Sequence, residues 1–494
     1  MLEIADRRPN TVLLAVAAYF LLCIVLRLVV SDSLEIDEAD QAFQSQVLRL
    51  GYGAQPPFYN WLQYGLSQLF GASLATMTIL KNGLLFLCCL FYGLAARTIL
   101  ADRRLPAMAI LGVLSLPTIF LLAQRDLSHT VAALFAVSLF LYGFLRTLTQ
   151  PSLFSYLLTG IAVGIGLISK YNFVLIPVAA ILAILPERDL RARIFDWRVL
   201  AAIVVAGAIA LPHGLWVLEN LQAASSGTLR EMKEREAEGR FLQTFHGISA
   251  LASAIIGGSL VTLLLFGLAF RDKVRLIWQA ESRWTRITGR MLALCFLAVL
   301  LIVLGLAATH VREKWLVLYL VLLPLYLCLK IEAAKIDPAR GFKRFAPLVV
   351  SVIVSVLVIV SARAVVRPWF GDYSRLNIPY AAFVEAVAKA EGRSPALVLT
   401  SDKRIAGNLR TQLNGAPVAV PHSSDLLADP AKRPLLVVWP DDTNPTPHVP
   451  APLREALKAL GVPETGMAPR NLALPYIHGS GEERYGFGYL WIDE

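Results

Sequence analysis

Stretches of about twenty consecutive apolar residues recur along this chain up to residue 365, each long enough to cross a bilayer as a helix. The windows 10–30, 74–100, 106–123, 127–146, 153–168, 172–186, 199–218, 248–270, 290–308, 315–330 and 346–365 predict about eleven transmembrane helices. Hydrophobic residues make up 56% of the chain and charged ones 17%, and mean hydropathy is +0.60, so an ordinary soluble globule and a disordered chain are both excluded. The windows 153–168 and 172–186 are short, and the polar corner Ser169-Lys170-Tyr171-Asn172 between them is expected to enter a cavity. Arg7-Arg8 ahead of the first window suggests a secretory leader, but that window is long and lacks a small-residue cleavage site, so a retained anchor is expected.

The net charge of +10 follows topology rather than nucleic acid. Basic residues gather in alternate loops, such as Arg103-Arg104, Arg188 to Arg198, Arg271 to Arg290 and Lys330 to Arg344, and the intervening short loops hold fewer. The positive-inside bias puts the N-terminus in the cytoplasm and, with an odd number of spans, the C-terminal tail on the far side. The expected location is a bacterial inner membrane with a periplasmic tail. All five cysteines lie in apolar runs, which argues against a disulfide framework. The histidines lack metal-ligand spacing, so no metal or other cofactor is expected, although a divalent cation is left open.

Two domains are predicted: a membrane domain over 1–365, including a first far-side loop at 31–73, and a smaller domain over 366–494 with more Pro, Asp, Asn and Gly. In the second, the runs 396–400, 418–420 and 435–439 resemble buried strands, with helical patterns at 379–391, 403–413 and 450–460, which predicts an α/β unit. In the first loop, Ala39, Phe43, Val47 and Leu50 recur at helical spacing before Gly51, predicting an amphipathic helix on the membrane surface. A second surface helix is expected over 58–70, after the rigid Pro56-Pro57 corner.

The far-side loops collect ionisable residues of mixed type, as a site at the bilayer edge would. Asp37 suits a general base with Glu38 beside it; equally, an Asp before a helix with Asp40 three residues on fits an N-cap. Arg125-Asp126 at a tight corner is most simply a self-satisfied pair. Lys81, Lys170, Arg312 and Lys314 lie near span ends, with His310 in the last cluster, and suit a lipid phosphate; snorkelling to headgroups is the alternative for any one of them. Tyr52, Gln55, Tyr171, His213, Trp216 and Asn220 are candidates to stack on and hydrogen-bond a sugar or acceptor, against the ordinary reading of His213 as a satisfied interface residue. The mixed-charge run Arg230 to Glu236 reads as a solvated helix and a candidate lid.

Asp37-Glu38, then Gly51-Tyr52 and Gln55-Pro56-Pro57, resemble the bacterial branch of the protein-mannosyltransferase-like superfamily, GT-C glycosyltransferases that include the aminoarabinose transferases of lipid A. Ser169-Lys170, Pro212-His213 with Trp216 and Asn220, and Arg312-Glu313-Lys314-Trp315 with Pro324 extend the likeness. The resemblance implies a polytopic GT-C fold with juxtamembrane helices and a small periplasmic α/β domain. It implies inverting transfer of one sugar from a polyprenyl-phosphate donor to lipid A, lipopolysaccharide core or another envelope glycan. By position, Asp37 resembles the family's catalytic acidic residue and Asp126 its second acidic residue. Aminoarabinose transferases tend to carry Lys where this chain has Gln55, so the resemblance assigns phosphate binding to Lys81, Lys170 or the Arg312-Lys314 cluster and leaves the sugar open. The expected partners are a polyprenyl-linked sugar, a lipid or glycan acceptor and membrane lipids, with the chain a monomer. Protein O-mannosylation is the alternative within the class, and a lipid-linked sugar transporter or flippase the alternative outside it.

Overall fold

The structure, a computed structural model, describes residues 10–232, 239–413, 415–421, 423, 425–427, 433–441, 448–462 and 468–493. Helix α1 (Asn10–Val30) leads into two shorter helices, α2 (Ile36–Gln44) and α3 (Phe58–Phe70), and then into α4 (Leu74–Ile99). Helix α5 (Leu105–Leu114) breaks before Pro117, which has no N–H for the ladder, and resumes over Thr118–Arg125 at an angle of 57°. Next come α6 (Ser128–Thr149), α7 (Leu153–Leu167), a 3₁₀ turn Tyr171–Val174 and α8 (Leu175–Ile184). They are followed by α9 (Arg198–Glu219), α10 (Leu221–Met232), α11 (Arg240–Ala269) and α12 (Arg283–Leu306). The last helices of the apolar region are α13 (Glu313–Leu320), α14 (Leu322–Ala333) and α15 (Ala339–Val366).

Among the described residues eight helices, with α13 and α14 taken as one, are long and apolar enough to cross a membrane, or nine if the bent pair is one span. Helices α7 and α8 are apolar but shorter. The chain is a polytopic helical membrane protein. The end of the charged run Arg230 to Glu236, the expected lid, lies outside the described residues, which stop at Met232 in α10.

Two compact units emerge. Of the described residues, the first holds those up to Leu22, Arg49–Tyr59 and those from Lys81 to Leu357; the second holds Cys23–Leu48, Asn60–Leu80 and those from Val358 on. In the first unit, α7 and α9 approach closely at two small residues one turn apart. A Cβ on Gly160 would fall 2.4 Å from the Ala202 carbonyl, and one on Gly164 would fall 2.8 Å from Ile209. Where Pro324 interrupts the backbone ladder, the buried Tyr92 hydroxyl donates to Val321 O at 2.6 Å and accepts from Leu325 N at 2.9 Å, so the freed groups stay satisfied.

In the second unit, β1 (Leu397–Thr400), β2 (Val418–Ala419), β3 (Leu435–Pro440), β4 (Arg470–Pro475) and β5 (Arg484–Ile492) form one sheet in the order β2-β1-β3-β5-β4. The pairs β1–β2 and β1–β3 are parallel, and β3–β5 and β4–β5 antiparallel. One face is covered by α16 (Tyr380–Glu391) and α17 (Lys403–Gln412), the other by α18 (Ala451–Ala459). Strands buried on both faces carry unbroken apolar runs, which is why β1 to β3 are legible in sequence. The strands β4 and β5 mix Arg, Asn and Gly with aromatics and gave no such signal.

The division differs from the predicted boundary at residue 365, because most of the first loop belongs with the C-terminal residues. The cause is the apolar face of α2. It was expected to lie on the membrane, but Phe43 packs with Phe383, Ile405, Leu409 and Phe487. Gly407 lets α17 come so near that a Cβ there would sit 2.0 Å from the Ala39 carbonyl. Leu34 N donates to Asn408 Oδ1 at 2.8 Å. Just past α2, the Gln46 side-chain amide bonds Val418 O at 2.9 Å and accepts from Val418 N at 2.8 Å, closing the β2 edge as another strand would.

Candidate active site

In the first unit the polar corner between α7 and α8 is fixed from several sides. Lys170 precedes the 3₁₀ turn in extended conformation, and its Nζ reaches Thr130 Oγ1 at 2.7 Å and the Lys314 carbonyl at 3.3 Å. Asn172 Nδ2 donates to Trp315 O at 2.9 Å, and the Tyr319 hydroxyl donates to Asn172 O at 3.0 Å. These bonds tie the corner to the start of α13, where the Lys170 ammonium meets the backbone carbonyl of Lys314. Arg312 is the residue just before the same helix, and the backbone N–H groups of Thr309 and His310 both bond Met232 O.

Tyr171 extends the corner toward α9. Its hydroxyl lies 3.2 Å from His213 Nε2, while His213 Nδ1 lies 2.8 Å from Leu50 O. A carbonyl only accepts, so Nδ1 carries the proton and Nε2 of the neutral ring accepts from Tyr171. The rings of Tyr171, His213 and Trp216 stack in sequence at 5.9 and 5.7 Å. Trp216 also lies over Gly51, where any Cβ would fall 2.2 Å from the indole, which explains the glycine of the Gly51-Tyr52 pair. Tyr52 accepts from Arg49 N at 3.0 Å. Asn220, a predicted sugar or acceptor contact, donates from Nδ2 to Trp216 O at 2.9 Å at the end of its own helix.

Beside the corner is a cavity of about 170 Å³. Gln55, Lys170, Tyr171 and Asn172 line it with polar groups, and Leu175, Val299, Ile302 and Val303 with hydrocarbon. Such a lining suits a ligand that is charged at one end and greasy at the other. Trp315, of the Arg312-Glu313-Lys314-Trp315 motif, also shapes this region, as do Thr130 and Tyr319, which sequence reasoning missed because each lies in an apolar window with no motif around it.

Lys81 is 2% exposed on α4, and its Nζ donates to Gln124 O at 3.3 Å, at the end of the bent pair. Asp126 follows two residues later in extended conformation, ahead of Leu127 at φ +78°, a left-handed value rare for a branched residue. Strain of this kind persists only where surrounding structure enforces it.

Asp37 belongs to the second unit. It is the second residue of α2, whose N-cap is Glu35, so the reading of Asp37 as the cap falls. The capping contact comes from Glu38, whose Oε2 accepts from Glu35 N at 3.1 Å. Glu38 also takes a 2.7 Å ion pair from Arg27, which further bonds Ser31 O and Ser33 O. Glu38, predicted as catalytic, is therefore buried in structural work. Asp40 bonds Gln44 at 2.6 Å and pairs with Lys403 at 3.8 Å; burial pushes its carboxyl up, with Lys403 pulling the other way. Among the described residues no group of three His, Cys, Asp or Glu is arranged around a metal-sized space.

The chain is 41% identical to the lipopolysaccharide core galacturonosyltransferase RgtB of Rhizobium johnstonii, over 100% of both chains. To RgtA, a lipopolysaccharide core galacturonosyltransferase of the same organism, it is 44% identical over 100% of this chain and 99% of the relative. The chain belongs to this galacturonosyltransferase family. The dolichyl-phosphate-mannose-protein mannosyltransferase family pattern matches residues 54–216, a stretch that includes Gln55, Lys170 and His213. The structure of ArnT from Cupriavidus metallidurans bound to undecaprenyl phosphate superposes with a TM-score of 0.58 at 15% identity, covering 96% of this chain and 97% of that one. The fold is thus the GT-C fold of ArnT, and membership of the family makes the chain a membrane glycosyltransferase, as the resemblance at Asp37-Glu38 and Gln55-Pro56-Pro57 implied.

Proposed function

We propose that the protein transfers one galacturonic acid residue, with inversion, from a polyprenyl-phosphate carrier to the core oligosaccharide of lipopolysaccharide. Identity of 41–44% over the whole length to two core galacturonosyltransferases carries this reading. A lipid A galacturonosyltransferase of the same organism, RgtD, is only 24% identical over 43% of the chain, which favours the core as acceptor. The absence of Lys at Gln55 agrees with a sugar other than aminoarabinose. Neither protein O-mannosylation nor lipid-linked sugar transport is favoured by these relatives.

A lipid phosphate is a good leaving group, so the enzyme needs a base for the acceptor hydroxyl and fixed cations for the departing charge. Asp37 takes the first role and Asp126 supports it. Lys170 and Lys314 hold the phosphate, with Lys81, Arg312 and His310 completing the cationic set, and the apolar wall of the 170 Å³ cavity accepts the start of the prenyl chain. Tyr171, His213, Trp216, Tyr52 and Gln55 border the sugar. The chain crosses the membrane eleven times as a monomer, with the bent pair and the short helices α7 and α8 counted as spans, its N-terminus cytoplasmic and its C-terminal unit periplasmic.

Mass analysis of lipopolysaccharide from cells with and without the protein tests this. The core should lose the mass of one hexuronic acid residue in its absence, with lipid A unchanged; an unchanged core overturns the proposal.

A further inference from the structure

The helices that present Lys170, Tyr171 and His213 at one end leave a second cavity at the other. It holds about 220 Å³ and shares no lining residue with the first. Its wall, from α6, α7, α8 and α9, is hydrocarbon: Phe140, Phe144, Val163, Ile184, and also Ile181 and Ile203, which are 42% and 60% exposed. It therefore opens sideways through apolar surface, where a membrane protein meets acyl chains rather than water.

One guanidinium lines this slot. Arg193, in the loop before α9, has an Nε shut off from solvent with no hydrogen-bond partner. The Asp196 carboxylate, held by Arg198, lies within electrostatic reach of this guanidinium, and Nε is still left to donate to a further acceptor. Beside it Phe195 and Trp197 are 77% and 70% exposed, as aromatic side chains at headgroup depth are, and Arg191 adds a second exposed cation. A ligand matching all of this has a long apolar chain and a phosphate at its end.

We propose that this slot is a binding site for an anionic phospholipid, with an acyl chain between α6, α8 and α9 and the phosphate on Arg193. On the orientation given above, the lipid comes from the cytoplasmic leaflet. Bound there, it braces the ends of α7, α8 and α9 opposite the Lys170-Tyr171 corner.

Full-length protein in mild detergent, offered equal amounts of phosphatidylglycerol and phosphatidylcholine with matched acyl chains, reports the preference by native mass spectrometry of retained lipid. Both lipids offer Arg193 a phosphodiester, but the choline cation cancels its charge, so wild type should favour phosphatidylglycerol by about tenfold. Arg193→Gln should bring the two lipids to parity, Arg191→Gln should keep the preference, and Val163→Trp, which fills the slot, should lower retention of both. Parity in the wild type overturns the proposal whatever the variants do, and so does a preference that survives Arg193→Gln.

Discussion

The helix that carries Asp37 and the corner that carries Lys170 are positioned by different forces. Helix α2 is held by packing: Phe43 in an aromatic core, Ala39 against the bare backbone of Gly407, and a buried Arg27–Glu38 pair at its start. The Lys170 corner is held by hydrogen bonds from Thr130, Trp315, Tyr319 and the Lys314 carbonyl. Packed surfaces tolerate little change of volume, whereas a hydrogen-bonded corner tolerates changes of shape but not of polarity. Substitutions around α2 should thus register first as stability, and those at the corner first as rate.

The largest effect should come from Gly407→Leu, which forces α17 away from the Ala39 carbonyl. A loss of about 3 kcal/mol or more is expected, read as poor recovery of folded protein and a lowered melting temperature. Glu38→Ala strands a buried Arg27 and should cost about 3 kcal/mol while transfer per folded molecule stays near normal; a variant with ordinary stability and no activity would return Glu38 to the catalytic group. At the corner the expectation reverses. Lys170→Met should lower transfer about 100-fold with an unchanged melting temperature, and a large loss of stability instead would make the corner structural. The smallest effect belongs to Asp40. Its carboxyl is raised by burial, so the folded state holds its proton more tightly than the unfolded chain, and stability falls as pH rises from about 4 through the raised value. Asp40→Asn should flatten that part of the melting-versus-pH curve, with a change of at most about 0.5 kcal/mol at neutral pH.

The same contrast separates what was legible in the sequence from what was not. Hydropathy windows locate helices because a span must be apolar along its whole length, and the runs of β1 to β3 show for the same reason. The polar corner at Ser169 to Asn172 stands out because polar residues inside apolar stretches are expensive. The loop assignment failed because Phe43 on a helix face reads alike whether that face meets lipid or a second element, and nothing local in the sequence announces Gly407 three hundred and more residues on. The ion pair of Glu38 was not legible for a related reason: its partner Arg27 lies inside the first apolar window, eleven residues away, with no local pattern to join them. At Asn220 residue type alone does not separate a sugar contact from the amide that a helix end needs.

Asp37 as the base is the assignment on which the proposed transfer depends. Purified Asp37→Asn enzyme, assayed with polyprenyl-phosphate galacturonate and lipopolysaccharide core acceptor, measures this most directly alongside donor binding on the same sample. Transfer should fall by about 10²–10⁴-fold while donor affinity stays within a few-fold of wild type. Full transfer by the variant would contradict the assignment.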